Sequence, residues 1–257
     1  TGAQSLAAMA HGVVDGEDVL EPVNTVTGPG NIFVAMAKRQ LRSVVGVDAE
    51  AGTTEIAVLA DDSADPRYVA ADLISQAEHD PAAGSVLITD SPELAHAVEE
   101  QLSVQVSEAK HRERITTALG GPQSGVVLTE DLEASVAVAD AYAAEHLEIH
   151  TRDASAVAAR IRNAGAIFVG PFSPVPLGDY AAGSNHVLPT GGTAVFSSGL
   201  QAASFMKAVQ VIEYSPEALA QLEDDIVALA TSEDLPAHGR AVTLRGEQRP
   251  SDTVAGG

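Results

Sequence analysis

Short β-rich runs and helical patterns take turns along most of this chain, and that alternation limits the possible fold more than any other feature. "TEIAVLAD" (Thr54–Asp61) reads as a strand, and "PRYVAADLISQAEH" (Pro66–His79) follows as a helix with proline in its first turn. Val69, Ala70, Leu73, Ile74 and Ala77 recur there at helical spacing. "GSVLITD" (Gly84–Asp90) is the next strand, and "SPELAHAVEEQL" the next helix, with Ser91 as N-cap and Pro92 behind it. "GVVLTED" (Gly125–Asp131), a helix to about Ala144, "LEIHT", a helix over "DASAVAARIRNA" and "AIFVG" (Ala166–Gly170) continue the series. Strands separated by single helices build βαβ units, so the expected class is α/β with a largely parallel sheet.

After Gly170 the rhythm stops. "PFSPVPLGDYAAGSNHVLPTGGTAVFSSG" is rich in Gly, Pro and Ser and reads as one long ordered loop, a kind of segment that tends to carry function. Helical patterns return in "GLQAASFMKAV", "SPEALAQLEDDIVALATSED" and "PAHGRAVTLR", and the tail "SDTVAGG" reads as disordered. The 257 residues, 45% of them hydrophobic, suffice for one large core or two modest ones. Acidic residues outnumber basic ones 36 to 14, a formal charge of -22 that repels phosphate backbones and anionic lipid. Neither a nucleic acid nor a membrane is therefore an expected partner. There is no cysteine, so any metal must be held by nitrogen and oxygen. No apolar run approaches the ~18 residues of a membrane span, and no signal-peptide pattern opens the chain, so a cytoplasmic protein is expected. The first residue is Thr1, inside what reads as a helix already under way, "TGAQSLAAMAHG"; a fragment of a longer chain is expected.

Five stretches could carry chemistry. "TVTGPGNIFVAMAKRQL" (Thr25–Leu41) has a strand-like lead-in, a Gly-Pro-Gly turn and a helix beginning near Asn31. Such a turn is either plain punctuation or an anion cradle; Phe33 stands where a dinucleotide fingerprint has its third glycine. "LISQAEHD" sets Gln76 and His79 one helical turn apart, either a two-point metal grip or a polar helix end meeting solvent. "LGDYAAGSNHVLPT" carries Asp179 and His186, as possible ligands or as turn and surface residues. "TSEDLPAHGRAV" holds Glu233 and His238 at a helix start, where acids are common for their own sake. "YAAEHLEIHT" places Glu145 beside His146. Adjacent side chains on a regular helix or strand face different ways, so the two read as a surface accident or as groups aimed at separate parts of one task. His11, His96, His111 and His150 have no acidic or metal-type neighbourhood arguable from spacing and read as surface or satisfied residues.

In order along the chain, "GAQSLAAMAHG", "GPGN", "AGTTE", "DLISQAEHD", "AAEHLEIHT", "NAGAIFVG", "LGDYAAGSNHVLPTGGTAVFSSGL", "IEYSP" and "AHGRAV" resemble the histidinol dehydrogenase family from Gly2 to about Arg245. The resemblance implies zinc-dependent oxidation of L-histidinol to L-histidine through L-histidinaldehyde, with two NAD, as the last step of histidine biosynthesis. It implies one Zn²⁺ per subunit, held by Gln76, His79, Asp179 and a His238 supplied by the other subunit of a homodimer with a shared active site. It places substrate contacts at Thr54, His186 and Glu233 besides the metal ligands and His146, and NAD contacts at Gln4 and Asn31. Thr54 stands where many relatives have serine, which keeps the hydroxyl. Glu145 and His146 fall on the catalytic pair. Histidine, with a pKa of ~6.5, suits removal of the alcohol proton in the first oxidation. A partly desolvated Glu145 suits activation of the water that attacks the aldehyde. The implied architecture is a Rossmann-like parallel-sheet domain, incomplete at its N-terminus, with a partial second Rossmann-like domain and a small helical C-terminal segment. The corresponding stretches are residues 1–56 (remnant of the NAD-binding domain), 57–200 (main α/β domain with the zinc and catalytic residues) and 201–257 (dimer-crossing segment). An alternative follows from the shortness of the chain: a non-catalytic fragment that folds, dimerises or binds zinc and needs an absent N-terminal part for activity.

Overall fold

The computed structural model describes residues 2–50 and 52–247; Thr1, Ala51 and the tail "SDTVAGG" lie outside them. In chain order the elements are α1 (Ala3–His11), β1 (Val13–Asp15), β2 (Asp18–Leu20), β3 (Thr25–Val26), α2 (Ile32–Leu41), β4 (Gly46–Val47), β5 (Glu55–Ala60), α3 (Pro66–Ala77), β6 (Gly84–Thr89), α4 (Pro92–Glu108) and α5 (Arg112–Leu119). Then come β7 (Gly125–Leu128), α6 (Leu132–Tyr142), β8 (His146–His150), α7 (Ala154–Ala158), β9 (Ala166–Val169), α8 (Val175–Tyr180), α9 (Pro216–Ser232) and α10 (Pro236–Glu247).

Five strands form one sheet in the order β7-β6-β5-β8-β9, every pair parallel. The chain starts at the centre with β5, winds outward through β6 and β7, then returns to the other side of β5 as β8 and β9. This is the α/β class expected from the alternation. In the central strand both faces are covered: Ala57 and Leu59 pack with Ile88, Val136, Ala139, Leu147, Ile149 and Val157 on one side. Ile56, Val58 and Ala60 pack with Val69, Leu73, Leu87, Leu94, Val98 and Val175 on the other. Each fully buried side chain of this kind stabilises the fold by ~1.5–3 kcal/mol, which is why "IAVLA" is apolar without interruption. Because β5 and β6 are parallel, α3 must run back against them, and its C-terminal turn returns to the amino-terminal edge of the sheet. The helix starts match their cap signals: Asp65, Ser91 and Asp131 accept hydrogen bonds from Arg67, Leu94 and Ala134 backbone N–H groups.

A smaller layer precedes the sheet. β3 and β4 pair in parallel, and Leu6, Ala10, Val26, Leu41 and Val45 from α1, β3 and the α2 region form its core. β1 and β2 make an exposed antiparallel hairpin. Residues Thr1–Met206 and Lys207–Gly257 cluster as two separate units. In the second unit α9 and α10 pack on each other where Gly239 meets Ala230; a Cβ on Gly239 would lie 3.7 Å from the Ala230 Cβ.

Several expectations need correction. The stretch after Gly170 is not loop throughout: α8 forms within it, with Pro176 presetting helical φ in the first turn where no apolar period announces a helix. "GLQAASFMKAV" is helical only as a 3₁₀ turn over Ala202–Phe205, and residues 201–217 are exposed. Without a face to bury, a short segment cannot offset the cost of nucleating an α-helix. The helix expected over "DASAVAARIRNA" stops at Ala158, and α5, β1, β2 and β4 had no expectation attached.

Candidate functional site

Glu145 precedes the first residue of β8, and its geometry follows from how α6 ends. Ala143 takes the left-handed conformation (φ 52) as the C-cap, which turns the chain sharply into the strand. Gly165 then packs against the Glu145 backbone so closely that a Cβ there would sit 2.5 Å from the Glu145 carbonyl oxygen. Glu145 is 7% exposed and His146 is 5% exposed. The Glu145 carboxylate accepts the Thr54 hydroxyl at 2.6 Å and the Glu55 backbone N–H at 3.0 Å. Thr54 Oγ1 in turn accepts a hydrogen bond from Gln76 Nε2. His146 Nδ1 lies 3.1 Å from the Glu55 carbonyl oxygen. A carbonyl can only accept, so this contact places the ring proton on Nδ1 and leaves the Nε2 lone pair free.

The premise that Glu145 and His146 face apart is corrected here: His146 Nδ1 and Glu145 Oε2 are 3.6 Å apart. Alternation governs residues inside a strand, and Glu145 stands just before one, so its side chain curls onto the same edge. Burial pushes the Glu145 carboxyl up to about 7, against the opposing pull of Thr54 and the Glu55 N–H, and the negative charges of Glu55 and Asp179 raise it further. Burial lowers the pKa of His146, opposed by the Glu55 carbonyl and Asp179 and assisted by His79. The acid is thus biased toward holding a proton and the imidazole toward losing one.

Asp179, on α8, acts electrostatically on both members of the pair, and His79, just past the end of α3, acts on His146. Gln76 is 1% exposed, its Nε2 is engaged by Thr54, and its Oε1 has no protein partner. An orphaned buried carbonyl oxygen costs about 1–3 kcal/mol, so this one fits an oxygen waiting for a cation. Thr54, Gln76, His79, Glu145, His146 and Asp179 therefore belong to one neighbourhood at the amino-terminal edges of β5 and β8. Doubly wound sheets usually receive ligands at the carboxyl edges; the polar convergence here is at the opposite end.

The Thr54 hydroxyl donates to Glu145 and accepts from Gln76, which leaves it a single lone pair for any further partner. His186 is exposed in the loop after α8. That loop is pinned to the start of β5: Thr190 Oγ1 accepts the Gly52 N–H at 2.6 Å, and Glu55 Oε1 accepts the Gly191 N–H at 3.0 Å. Gln4 is exposed on α1. Asn31 is the N-cap of α2, its Oδ1 accepting from Phe33 and Val34 N–H groups at 3.1 and 3.2 Å. Only its Nδ2 remains for another partner. Glu233 closes the C-terminus of α9, and His238 is exposed in the first turn of α10, both in the second unit.

Sequence reasoning missed three features. Glu55 supplies the carbonyl that orients His146. A buried Lys38–Asp48 pair, 2.6 Å apart, clasps the Gly-Pro-Gly turn: Asp48 accepts the Gly28 N–H at 2.8 Å, and Lys38 donates to the Gly28 carbonyl. Gly28 has φ 110, a conformation other residues rarely adopt. His150, read as lacking acidic neighbours, is buried with Glu148 and Asp72 around it. The partner on α3 is distant in sequence, which hid it. The signal that could have found the cluster is "HLEIH" itself, polar at every second position of a strand whose parallel neighbours are apolar.

The sequence family described as histidinol dehydrogenase matches residues 1–246. A histidinol dehydrogenase of Thermobifida fusca is 63% identical over 244 residues, covering 95% of this chain and 55% of that protein. One from Nocardia farcinica is 60% identical over 247 residues, with 96% and 56% covered. The crystal structure of histidinol dehydrogenase from Elizabethkingia anophelis superposes with a TM-score of 0.87 at 33% identity, covering 96% of this chain and 56% of that one. The chain spans about half the length of the relatives it matches. Among the described residues no helix is long and apolar enough to cross a membrane.

Proposed function

Because this chain belongs to the histidinol dehydrogenase family, we propose that it carries the proton-transfer and zinc-binding portion of an enzyme oxidising L-histidinol to L-histidine through L-histidinaldehyde. The observation that carries the reading is the edge where Gln76, Thr54 and Glu145 form one hydrogen-bonded chain beside an imidazole whose Nε2 is free. In the first oxidation His146 Nε2 takes the proton of the substrate hydroxyl as a hydride leaves the carbinol carbon. The Glu55 carbonyl holds the ring in the required tautomer, and burial keeps it neutral enough to accept. In the second, Glu145 takes a proton from the water whose oxygen bonds to the aldehyde carbon, giving the hydrate oxyanion, from which the second hydride leaves to give the carboxylic acid. Thr54 and the Glu55 N–H hold that carboxylate in place. NAD, accepted through Gln4 and Asn31 beside the clasped Gly-Pro-Gly turn, supplies the hydride acceptor.

The residues present fit a zinc ion. Gln76 offers a buried oxygen without a partner, His79 a nitrogen and Asp179 a carboxylate, and His238 of a second copy completes a cysteine-free set in a homodimer. When bound, Zn²⁺ supplies a Lewis-acidic anchor for the amino and imidazole nitrogens of the substrate. A second reading rests on the half-length coverage of the relatives: these residues fold, dimerise or bind zinc, and turnover needs a complementing N-terminal piece.

One experiment separates the readings. NADH formation from L-histidinol and Zn²⁺ is followed for this chain alone and for the chain supplied with the N-terminal half of a relative. Turnover only in the mixture favours the second reading. Turnover in the mixture that survives both Glu145→Gln and His146→Asn would sink the assigned roles. Anomalous scattering at the zinc edge tests the ligand set, and a metal away from Gln76 and Asp179 would exclude it.

A further inference from the structure

On the α3 side of β8, three ionisable side chains are buried together, next to the apolar cluster of Ile56, Val58, Leu73 and Val175. Glu148 is wholly buried, His150 is 4% exposed and Asp72 is 8% exposed. Glu148 Oε1 accepts the Val175 backbone N–H at 2.8 Å. Its other oxygen is 3.2 Å from His150 Nε2, and Asp72 Oδ2 is 3.7 Å from the same nitrogen. One nitrogen or oxygen from each of the three lies within 4.8 Å of those of the other two.

Stability alone is a poor reason for such a cluster. Removing ions from water costs several kcal/mol each, and well-packed apolar replacements are often neutral or better. The attachments of the three suggest a different reason. Asp72 stands one helical turn before Gln76 on α3, so the two share a face. Glu148 stands two residues after His146 on β8, so they share a side of the sheet. Val175 is the first residue of α8, which carries Asp179. One carboxylate is therefore tied to three elements, each bearing a residue assigned to the zinc and proton-transfer chemistry.

We propose that Glu148, clasped by Asp72 and His150, is a positioning residue that sets the spacing of α3, β8 and α8 and so the mutual placement of Gln76, His146 and Asp179. This rests on the zinc assignment made above. The protonation pattern agrees with it: burial, and then the charge of Glu148, pushes Asp72 up to about 8. A protonated Asp72 can donate to the Glu148 carboxylate. Burial also lowers His150, so its Nε2–H donates to Glu148 as a neutral ring. With one proton on Asp72 and one on the imidazole, the cluster carries a single negative charge, on Glu148, faced by the Asp72, His150 and Val175 donors.

The test measures zinc affinity by competition with a chromophoric chelator, alongside thermal midpoints, in this chain and in variants. Glu148→Leu removes the tether while filling similar volume; zinc affinity is expected to fall about tenfold or more, and the midpoint reports separately the cost of leaving the Val175 N–H and His150 without their acceptor. Glu148→Gln keeps an acceptor for the Val175 N–H and is expected to restore affinity to within about threefold. Val175→Pro removes the donor at a first-turn helical position that tolerates proline, at some cost in core packing that its thermal midpoint reports, and is expected to weaken zinc like Glu148→Leu; it serves if the leucine variant fails to fold. Gln76→Ala is the control for the site. Wild-type affinity in Gln76→Ala would sink the zinc site and the brace with it. Weakened zinc in Gln76→Ala but wild-type affinity in Glu148→Leu or Val175→Pro would overturn the brace alone. A second zinc per chain, lost in Asp72→Asn or His150→Phe, would also overturn it, because the triad would then be a metal site.

Discussion

The two sides of β8 differ sharply. Leu147 and Ile149 point into an apolar cluster with Ala57, Leu59, Val136 and Val157. His146, Glu148 and His150 point the other way, equally buried, toward the α3 side, where buried polar groups such as Asp72, Gln76 and Ser85 stand among the apolar ones. The first side needs only hydrophobicity and volume. The second bears the cost of desolvating three ionisable groups, and such groups cluster where chemistry or its geometry requires them. A single strand of five residues thus carries both a folding surface and a working one.

The contrast is broken most forcefully at the edge where Glu145 and His146 meet. His146→Asn in the complemented enzyme is expected to slow alcohol oxidation by ~10²–10⁴-fold, the usual worth of a positioned base, with little change in thermal midpoint. Single-turnover measurement from histidinol and from histidinaldehyde checks it; equal losses in both half-reactions would contradict the division of labour. Glu145→Gln should slow the aldehyde step by a similar factor. In the unmodified protein that step should rise with pH through about 7, because only the deprotonated carboxylate takes the water proton; a pH–rate profile of the variant should lose that rise.

Leu147→Ala tests the opposite side of the strand. Leu147 is fully buried, and the cavity should cost ~2–5 kcal/mol of stability, read from denaturant midpoints, while the half-reaction rates of the folded fraction stay near those of the parent. A catalytic loss exceeding the loss of folded protein would show that the two sides are not separable.

The smallest effect is a slope. Asp72 faces Glu148 and His150, and its pKa rises from 3.8 in the ordinary state to about 8 in the fold. Between those values the folded chain holds a proton that the unfolded chain has released, so this group's contribution to stability is full at low pH and declines as pH climbs through the window. Asp72→Asn should flatten that decline in denaturation curves taken across the range; an unchanged slope would mean that Asp72 is ionised in the fold.

Much of this was readable beforehand, and the reasons differ by region. The strands of the main sheet were legible because burial on both faces demands uninterrupted apolar runs such as "IAVLA". Glu145, His146, Gln76, His79 and Asp179 were singled out through motifs, and the structure gathers them in one neighbourhood; motifs do not report which way a side chain turns. The 3.6 Å approach of Glu145 to His146 depends on the left-handed Ala143 and the tight packing of Gly165, neither of which has a period to read. His150 was misread although one of its acids, Glu148, stands two positions away on the same side of β8; only the second, Asp72 on α3, comes from 78 positions earlier, a separation by which local spacing says nothing.

The return of α3 to the amino-terminal edge of the sheet has a consequence for what can settle there. A helix ends with carbonyl groups pointing outward and a partial negative charge of about half an electron. A pocket facing the tail of a helix is therefore biased toward cations, whereas the carboxyl edges of such sheets face helix heads and suit phosphates. With Gln76 and His79 at the tail of α3, a divalent ion held there as proposed would meet a backbone field of matching sign before any side chain contributes.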